Sequence, residues 1–130
     1  ELLADGKVFR TGEMYLIRAE ARAELNDLTG AAADLNTLRD ARINGYTAAS
    51  FSSKGDLITA IMNERFKELA YEGHRFFDAK RRNLPIIRLA VDAQNNKTTL
   101  ESGNFRFLLP IPNSEIQANP LMVQNPGYTN

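Results

Sequence analysis

The residues that first suggest chemistry lie in the middle of the chain. Leu57, Ile61, Glu64, Glu68 and Glu72 follow at intervals of four, three, four and four residues, the step that keeps side chains on one helix face. The stripe begins apolar and ends in carboxylates, while Thr59, Asn63 and Lys67 fall on the opposite side. Some of these glutamates are therefore expected to face protein rather than water. An earlier segment repeats the theme, with Glu13, Ile17, Glu20 and Glu24 on one face. Two chemistries fit such stripes. Paired carboxylates can act as general acid and base, as in a glycosidase. They can also form ion pairs, and Arg10, Arg39, Arg42, Arg75 and Arg81 are candidate partners. Arginine outnumbers lysine 11 to 5, and the planar guanidinium matches a carboxylate with two parallel hydrogen bonds. An acid buried without a partner is too costly to keep ionised. The supply of arginine favours the ion pairs.

Other groups carry weaker signals. Glu68, Glu72 and His74 could suggest a metal cluster, but the chain holds one histidine and no HExxH arrangement, so no metal is expected. Lys80, Arg81, Arg82 and Arg88 form a basic cluster. In a chain with 16 basic and 16 acidic residues and a pI near 6.9, it reads as a helix end favouring cations rather than a phosphate track. The same balance argues against a nucleic-acid partner. Asn96-Lys97-Thr98 matches a glycosylation acceptor, a motif common by chance. Tyr46 and Phe51 are the aromatics of the central loop, able to stack on a sugar or to fold back onto the body. There is no tryptophan, no cysteine, no Gly-rich phosphate loop and no nucleophile elbow. No catalytic, cofactor-binding or metal residue is assigned, no cofactor is expected, and the glycan-binding residues are unknown.

The elements that must carry these residues are helices. At 130 residues, 14.5 kDa, 43% apolar and 25% charged, the chain fits a single helical domain over 1–130. The first helix is expected over Thr11–Asn26, with Met14, Ile17, Ala21 and Leu25 as its periodic residues. Asn26 and Asp27 break it, and Thr29 caps a second helix over Gly30–Ala41 with Leu35 and Leu38 on its apolar face. A third runs Ser53–Glu72, with Ser53 and Asp56 arranged as a capping box and Gly73 as its stop. A fourth covers Arg75–Arg82, closed by Asn83, Leu84 and Pro85. Asn44–Ser52 and Asp92–Asn104 read as loops, Phe105–Leu109 as a short extended segment and Ser114–Ala118 as one helical turn. Leu2–Phe9 is a lead-in, and Asn119–Asn130 is irregular. The fold class is mainly α: an antiparallel helical hairpin, further helices and a long irregular C-terminal segment. Tyr15, Ala19, Leu28, Ala31 and Leu35 give the hairpin the spacing of a tetratricopeptide (TPR) unit, although stable stacks need about three. No apolar run approaches the roughly 18 residues of a membrane span. The chain starts at Glu1 without a basic-then-apolar leader, so a processed chain or an excised piece is expected.

Three ordered segments resemble a known family. The first is Arg10-Thr-Gly-Glu-Met-Tyr-Leu-Ile-Arg-Ala-Glu-Ala21 with Ala33-Asp-Leu-Asn-Thr-Leu-Arg39. The second is Asn63-Glu-Arg-Phe-Lys-Glu-Leu-Ala-Tyr-Glu-Gly-His-Arg-Phe-Phe-Asp-Ala-Lys-Arg81. The third is Leu109-Pro-Ile-Pro112 with Glu115-Ile116, Asn119-Pro120 and Gln124-Asn-Pro-Gly-Tyr128. Together they resemble the C-terminal part of the SusD/RagB family, surface-exposed, lipid-anchored proteins of the Bacteroidota outer membrane. The resemblance implies a non-catalytic module of a receptor that binds glycans or other nutrients beside a SusC-like TonB-dependent transporter. It implies that this chain is a C-terminal portion of a larger protein whose anchor and most of whose ligand site lie elsewhere. It also implies that Glu64, Glu68, Glu72, Arg75, Asp78 and Arg81 are architectural. The alternative is a free-standing TPR-like helical protein-interaction domain; an enzyme using the glutamate face is third.

Overall fold

The computed structural model describes residues 9–128. Of the Leu2–Phe9 lead-in all but Phe9 lies outside the described residues, as do Thr129 and Asn130 of the tail. The described residues group by contact into two compact units that divide between Arg75 and Phe76.

The first unit is three helices: α1 (Thr11–Glu24), α2 (Leu28–Asp40) and α3 (Lys54–Glu68). Asn26 ends α1 in a left-handed conformation, φ 65°, and the Asp27 amide reaches back to the Arg22 carbonyl at 2.9 Å. This satisfies a carbonyl the helix leaves open, and asparagine tolerates the backbone it needs. The turn is short, so α2 runs back along α1. Arg18 and Arg22 both meet Asp34, and Arg22 also donates to the Gly30 carbonyl, the antiparallel sense expected of the hairpin. Asp27 caps α2 by accepting from the Gly30 amide at 2.9 Å, in place of Thr29. Ser53 caps α3 as expected, accepting from the Asp56 amide at 3.1 Å and donating to Asp56 Oδ2 at 2.8 Å.

The buried face of α1 differs from the expected one. Met14, Ile17 and Leu25 are 44%, 47% and 81% exposed, while Gly12, Leu16, Ala19, Glu20 and Ala23 are buried. The reason is the closeness of the helices: Ala19, Ala23 and Ala31 are fully buried, and larger residues on those faces would hold the backbones apart. Leu16, Leu35, Leu57 and Ile61 fill the remaining space with no exposed surface between them. The α3 stripe is placed as expected through Glu68, but the helix stops there rather than at Glu72. Tyr71 (φ 64°) and Gly73 (φ 80°) are left-handed, and the Glu72 amide bonds to the Leu69 carbonyl in a turn.

A short helix, α4 (His74–Arg81), leads into the second unit. Asn83 (φ 53°) closes it, with the Leu84 amide on the Ala79 carbonyl at 2.8 Å. The expected loop over Asp92–Asn104 contains a strand. β1 (Ile86–Ile87) and β2 (Thr99–Leu100) pair antiparallel, Ile86 opposite Leu100, and the Arg88 amide extends the ladder to the Thr98 carbonyl at 2.7 Å. Phe105–Phe107 is a 3-10 turn rather than extended, because the Asn104 side chain caps it by accepting from the Arg106 amide. α5 (Asn113–Ala118) starts one residue before the expected single turn over Ser114–Ala118, and the segment after it is irregular.

The C-terminal irregular segment is held by side chains in place of a sheet. Gln124 pairs with Ile111 in both directions: its Oε1 accepts from the Ile111 amide at 2.8 Å and its Nε2 donates to the Ile111 carbonyl at 2.9 Å. Asn125 donates to the Leu109 carbonyl and the Tyr128 hydroxyl to the Leu108 carbonyl. Gly127 (φ 88°) lies flat against the Phe105 ring where no side chain fits. The Gln124–Tyr128 motif is a clasp on residues 108–111.

Candidate functional site

The glutamate stripe is spent on ion pairs. Glu64, 6% exposed, receives the Arg39 Nε at 2.7 Å, with Lys67 at 3.6 Å. Glu68 takes Arg42 through two bonds of 3.0 and 2.8 Å and Arg10 at 2.7 Å. Arg10 reaches further, to the Glu68 carbonyl at 2.6 Å and to Glu72 at 2.7 Å. Hydrogen bonding by Arg42 holds the Glu68 carboxyl below the usual glutamate range; burial works the other way, and the charges of Arg42 and Arg10 add to the lowering. A general acid needs the opposite shift. On α1, Glu13 lies 3.8 Å from Arg65 and 3.7 Å from His74 Nδ1.

Three of the five candidate arginines join this network. Arg75 does not: its guanidinium lies over the Phe66 ring at 5.1 Å. Arg81 pairs instead with Asp78, 5% exposed, at 2.8 Å in the second unit. Glu68, Glu72 and His74 do not converge, and no group of three potential metal ligands forms among the described residues. Tyr46 is turned inward. Its hydroxyl donates to Asn36 Oδ1 at 2.7 Å, and Asn36 also grips Ala49 through its amide and carbonyl. Phe51 is half-buried along the same groove, beside Ala32, Ala33 and Leu57. Both residues pin the Asn44–Ser52 loop to α2.

A sizeable concavity belongs to the second unit. A cleft of about 630 Å³ is walled by β1, β2 and the 3-10 turn, with Phe76, Ile86 and Leu100 as its apolar part and Asn96, Thr98, Thr99 and Asn104 as neutral polar groups. Arg88, Lys97 and Arg106 line it too, and no aspartate or glutamate does. Its volume falls within the about 300–1,000 Å³ common to small-ligand sites. The expected basic cluster therefore divides: Arg81 is engaged with Asp78, while Arg88 opens into the cleft. The sequence concealed this site because its walls come together only through the Arg88–Thr98 register, which two-residue strands barely signal.

The chain is similar to known proteins. The SusD family pattern matches residues 3–128. SusD-like protein P25 of Formosa agariphila is 30% identical over 95% of this chain and 24% of its own length. SusD-like protein P2 of the same organism is 33% identical over 92% of the chain and 25% of its own. Among solved structures, a SusD superfamily protein from Bacteroides vulgatus superposes over the whole chain and 30% of its own, at 30% identity and a TM-score of 0.79. A SusD-like protein from Bacteroides fragilis gives 29% identity and a TM-score of 0.66 over 90% of the chain and 25% of its own. The chain spans about a quarter of the length of the curated relatives it matches. The match runs through the helical hairpin, the arginine-clamped glutamates and the terminal clasp alike, and this chain belongs to the SusD family.

Proposed function

We propose that this chain is a C-terminal portion of a longer, non-catalytic glycan- or nutrient-binding protein of an outer-membrane uptake system, working beside a SusC-like TonB-dependent transporter. The observation that carries the reading is the family match over residues 3–128. Two features of the chain support it. The carboxylates best spaced for acid–base work are clamped by Arg10, Arg39 and Arg42, a structural use. Phe77, Leu89, Val91, Leu109, Leu121 and Val123 are 68–89% exposed, apolar surface suited to packing against further chain. Surface exposure on the cell and a lipid anchor belong to the longer protein.

Calorimetry tests the reading. The longer protein should bind an oligosaccharide measurably more tightly than the 130-residue chain, which should bind at millimolar strength or weaker, no better than about −4 kcal/mol. Equal micromolar binding by the isolated chain would place the whole site here and reject the reading. Oligosaccharide hydrolysis that disappears in Glu64→Gln or Glu68→Gln would reject the non-catalytic part.

A further inference from the structure

We propose that the cleft between the β1–β2 hairpin and the Phe105–Phe107 turn is a subsite for an anionic saccharide, one bearing a carboxylate or a sulfate ester. The inference rests on the binding role proposed above and adds the ligand's charge and its place.

The starting point is the distribution of cations. Six arginines elsewhere, Arg10, Arg18, Arg22, Arg39, Arg42 and Arg81, hold a carboxylate at 2.8 Å or less, and Arg75 is laid on the Phe66 ring. Arg88, Lys97 and Arg106 depart from this habit. They line one cleft in which no acid takes part, and no ion pair to any of them is found among the described residues. A concave surface carrying one sign of charge focuses its field and draws in ligands of the opposite sign. A guanidinium also meets a carboxylate or sulfate with paired, charge-assisted hydrogen bonds.

The cleft is also built to hold a ring rather than a bare ion. The Arg106 guanidinium is laid on the Phe105 ring at 4.7 Å, which holds it in one orientation and lowers the entropy lost when a ligand is gripped. Arg88 and Lys97 are brought to one side by the bond from the Arg88 amide to the Thr98 carbonyl, 2.7 Å. Phe76, braced from behind by Phe107 at 5.6 Å between ring centres, offers an apolar surface for the C–H face of a sugar. Thr98 and Asn104 supply hydroxyl and amide groups beside it. Apolar ring, neutral hydrogen-bonding groups and fixed cations together match the three parts of an acidic sugar.

The test is an amide-resolved NMR titration of the 130-residue chain with trigalacturonate, a sulfated trisaccharide, neutral maltotriose and inorganic sulfate. The two anionic saccharides should shift the amides of Arg88, Lys97, Thr98 and Arg106, saturably and at millimolar strength, at least tenfold more tightly than maltotriose. The arm that binds more tightly assigns carboxylate or sulfate ester. Arg88→Ala with Lys97→Ala, both at exposed positions, should weaken that binding at least tenfold and flatten its salt dependence, with the rest of the spectrum unchanged. Maltotriose binding here as tightly as the anionic sugars would overturn the charge assignment and leave the glycan-binding role intact. Inorganic sulfate binding as tightly as the saccharides would reduce the site to a simple anion site and overturn the proposal. Shifts with none of them would remove the cleft as a subsite, while the calorimetry on the longer protein separately decides the general role. The same double variant in the longer protein, read by calorimetry, applies the same criteria if the isolated chain does not hold its fold.

Discussion

The Glu68 carboxylate occupies the space that a β-carbon on Gly12 would need. Gly12 lies in the first turn of α1 and Glu68 in the last turn of α3, so the end of one helix reads the start of another through a single missing methyl group. Glu68 cannot swing aside freely, because Arg10 and Arg42 both hold it. Gly12→Ala should therefore destabilise the first unit by about 1–3 kcal/mol, although alanine ordinarily favours a helix over glycine by up to about 1 kcal/mol. Chemical denaturation measures it. A double-mutant cycle with Glu68→Ala should recover most of the loss, and additive losses would show that the carboxylate is not the obstacle.

Glu68 also sets a pH dependence with a definite sign. Its folded-state pKa is depressed, first by the Arg42 hydrogen bonds, so the folded chain binds fewer protons there than the unfolded chain. The stabilisation is fully present above the unfolded glutamate value, about 4.3, and is lost as pH falls from there through the folded value. Denaturation midpoints measured down through this window should drop for the native sequence. In Glu68→Gln the drop should be shallower, from a lower starting stability. An identical acid limb in both proteins would assign the effect to other carboxylates.

Arg39 and Arg75 should separate sharply. Arg39 pairs with Glu64 where both side chains are largely buried, 15% and 8% exposed. Removing it leaves a buried acid with only Lys67, at 3.6 Å, as a partner, a loss that approaches the about 3–5 kcal/mol of a broken fully buried pair. Arg75 lies over Phe66, which is itself 58% exposed, a contact worth about 0.5–1 kcal/mol. Thermal denaturation of Arg39→Ala and Arg75→Ala ranks them, and equal losses would refute the division of roles.

How much of this could be read in the sequence depends on the length of the signal. The α3 stripe spans four turns, and both its burial and its need for arginine partners were legible from Leu57 to Glu68. The α1 face was not. Hydropathy ranks Met14, Ile17 and Leu25 above Ala19 and Ala23, yet a close helix crossing selects for small volume, not for apolarity alone. Asp27 and Thr29 are equally able caps for α2 by residue type, and only the position of the Gly30 amide distinguishes them. The end of α3 at Glu68 has no signal in the sequence, because Leu69–Glu72 contains no glycine or proline and Tyr71 takes a left-handed backbone that its side chain does not favour. The cleft was hidden for a different reason. Arg88, Lys97 and Arg106 follow one another at nine-residue intervals and line one cleft, and the ladder that sets Arg88 beside Lys97 is two residues long, too short for a period to show.

The terminal clasp yields a local prediction rather than a global one. Gln124 is the partner of both backbone groups of Ile111 and also accepts from the Asn125 amide, so Gln124→Ala leaves three backbone groups to water. The Ile111 amide should exchange with solvent faster by at least tenfold, while amides in α1–α3 keep their protection. Uniform loss of protection across the chain would mean that the clasp stabilises the whole fold, and no change would mean that water substitutes for it fully.

Exposed apolar side chains on the second unit make the final prediction. Leu121 and Val123 flank Met122 in an irregular segment at 88% and 83% exposure, and Leu109, on the segment the clasp holds, is 79% exposed. A clasp built from so many directional hydrogen bonds is a specific structure, and specific structure that displays apolar residues is ordinarily completed by something packed on it. If further chain of the longer protein completes it, the isolated 130-residue chain should self-associate through these residues, and the longer protein should not. Sedimentation velocity across a concentration series reads this directly. Leu121→Lys with Val123→Lys should return the isolated chain toward a monomer without loss of helical circular dichroism, because neither residue contributes to a core. A chain that stays monomeric at every concentration would show that water alone is tolerated there, and would remove one support for its being a portion of something larger.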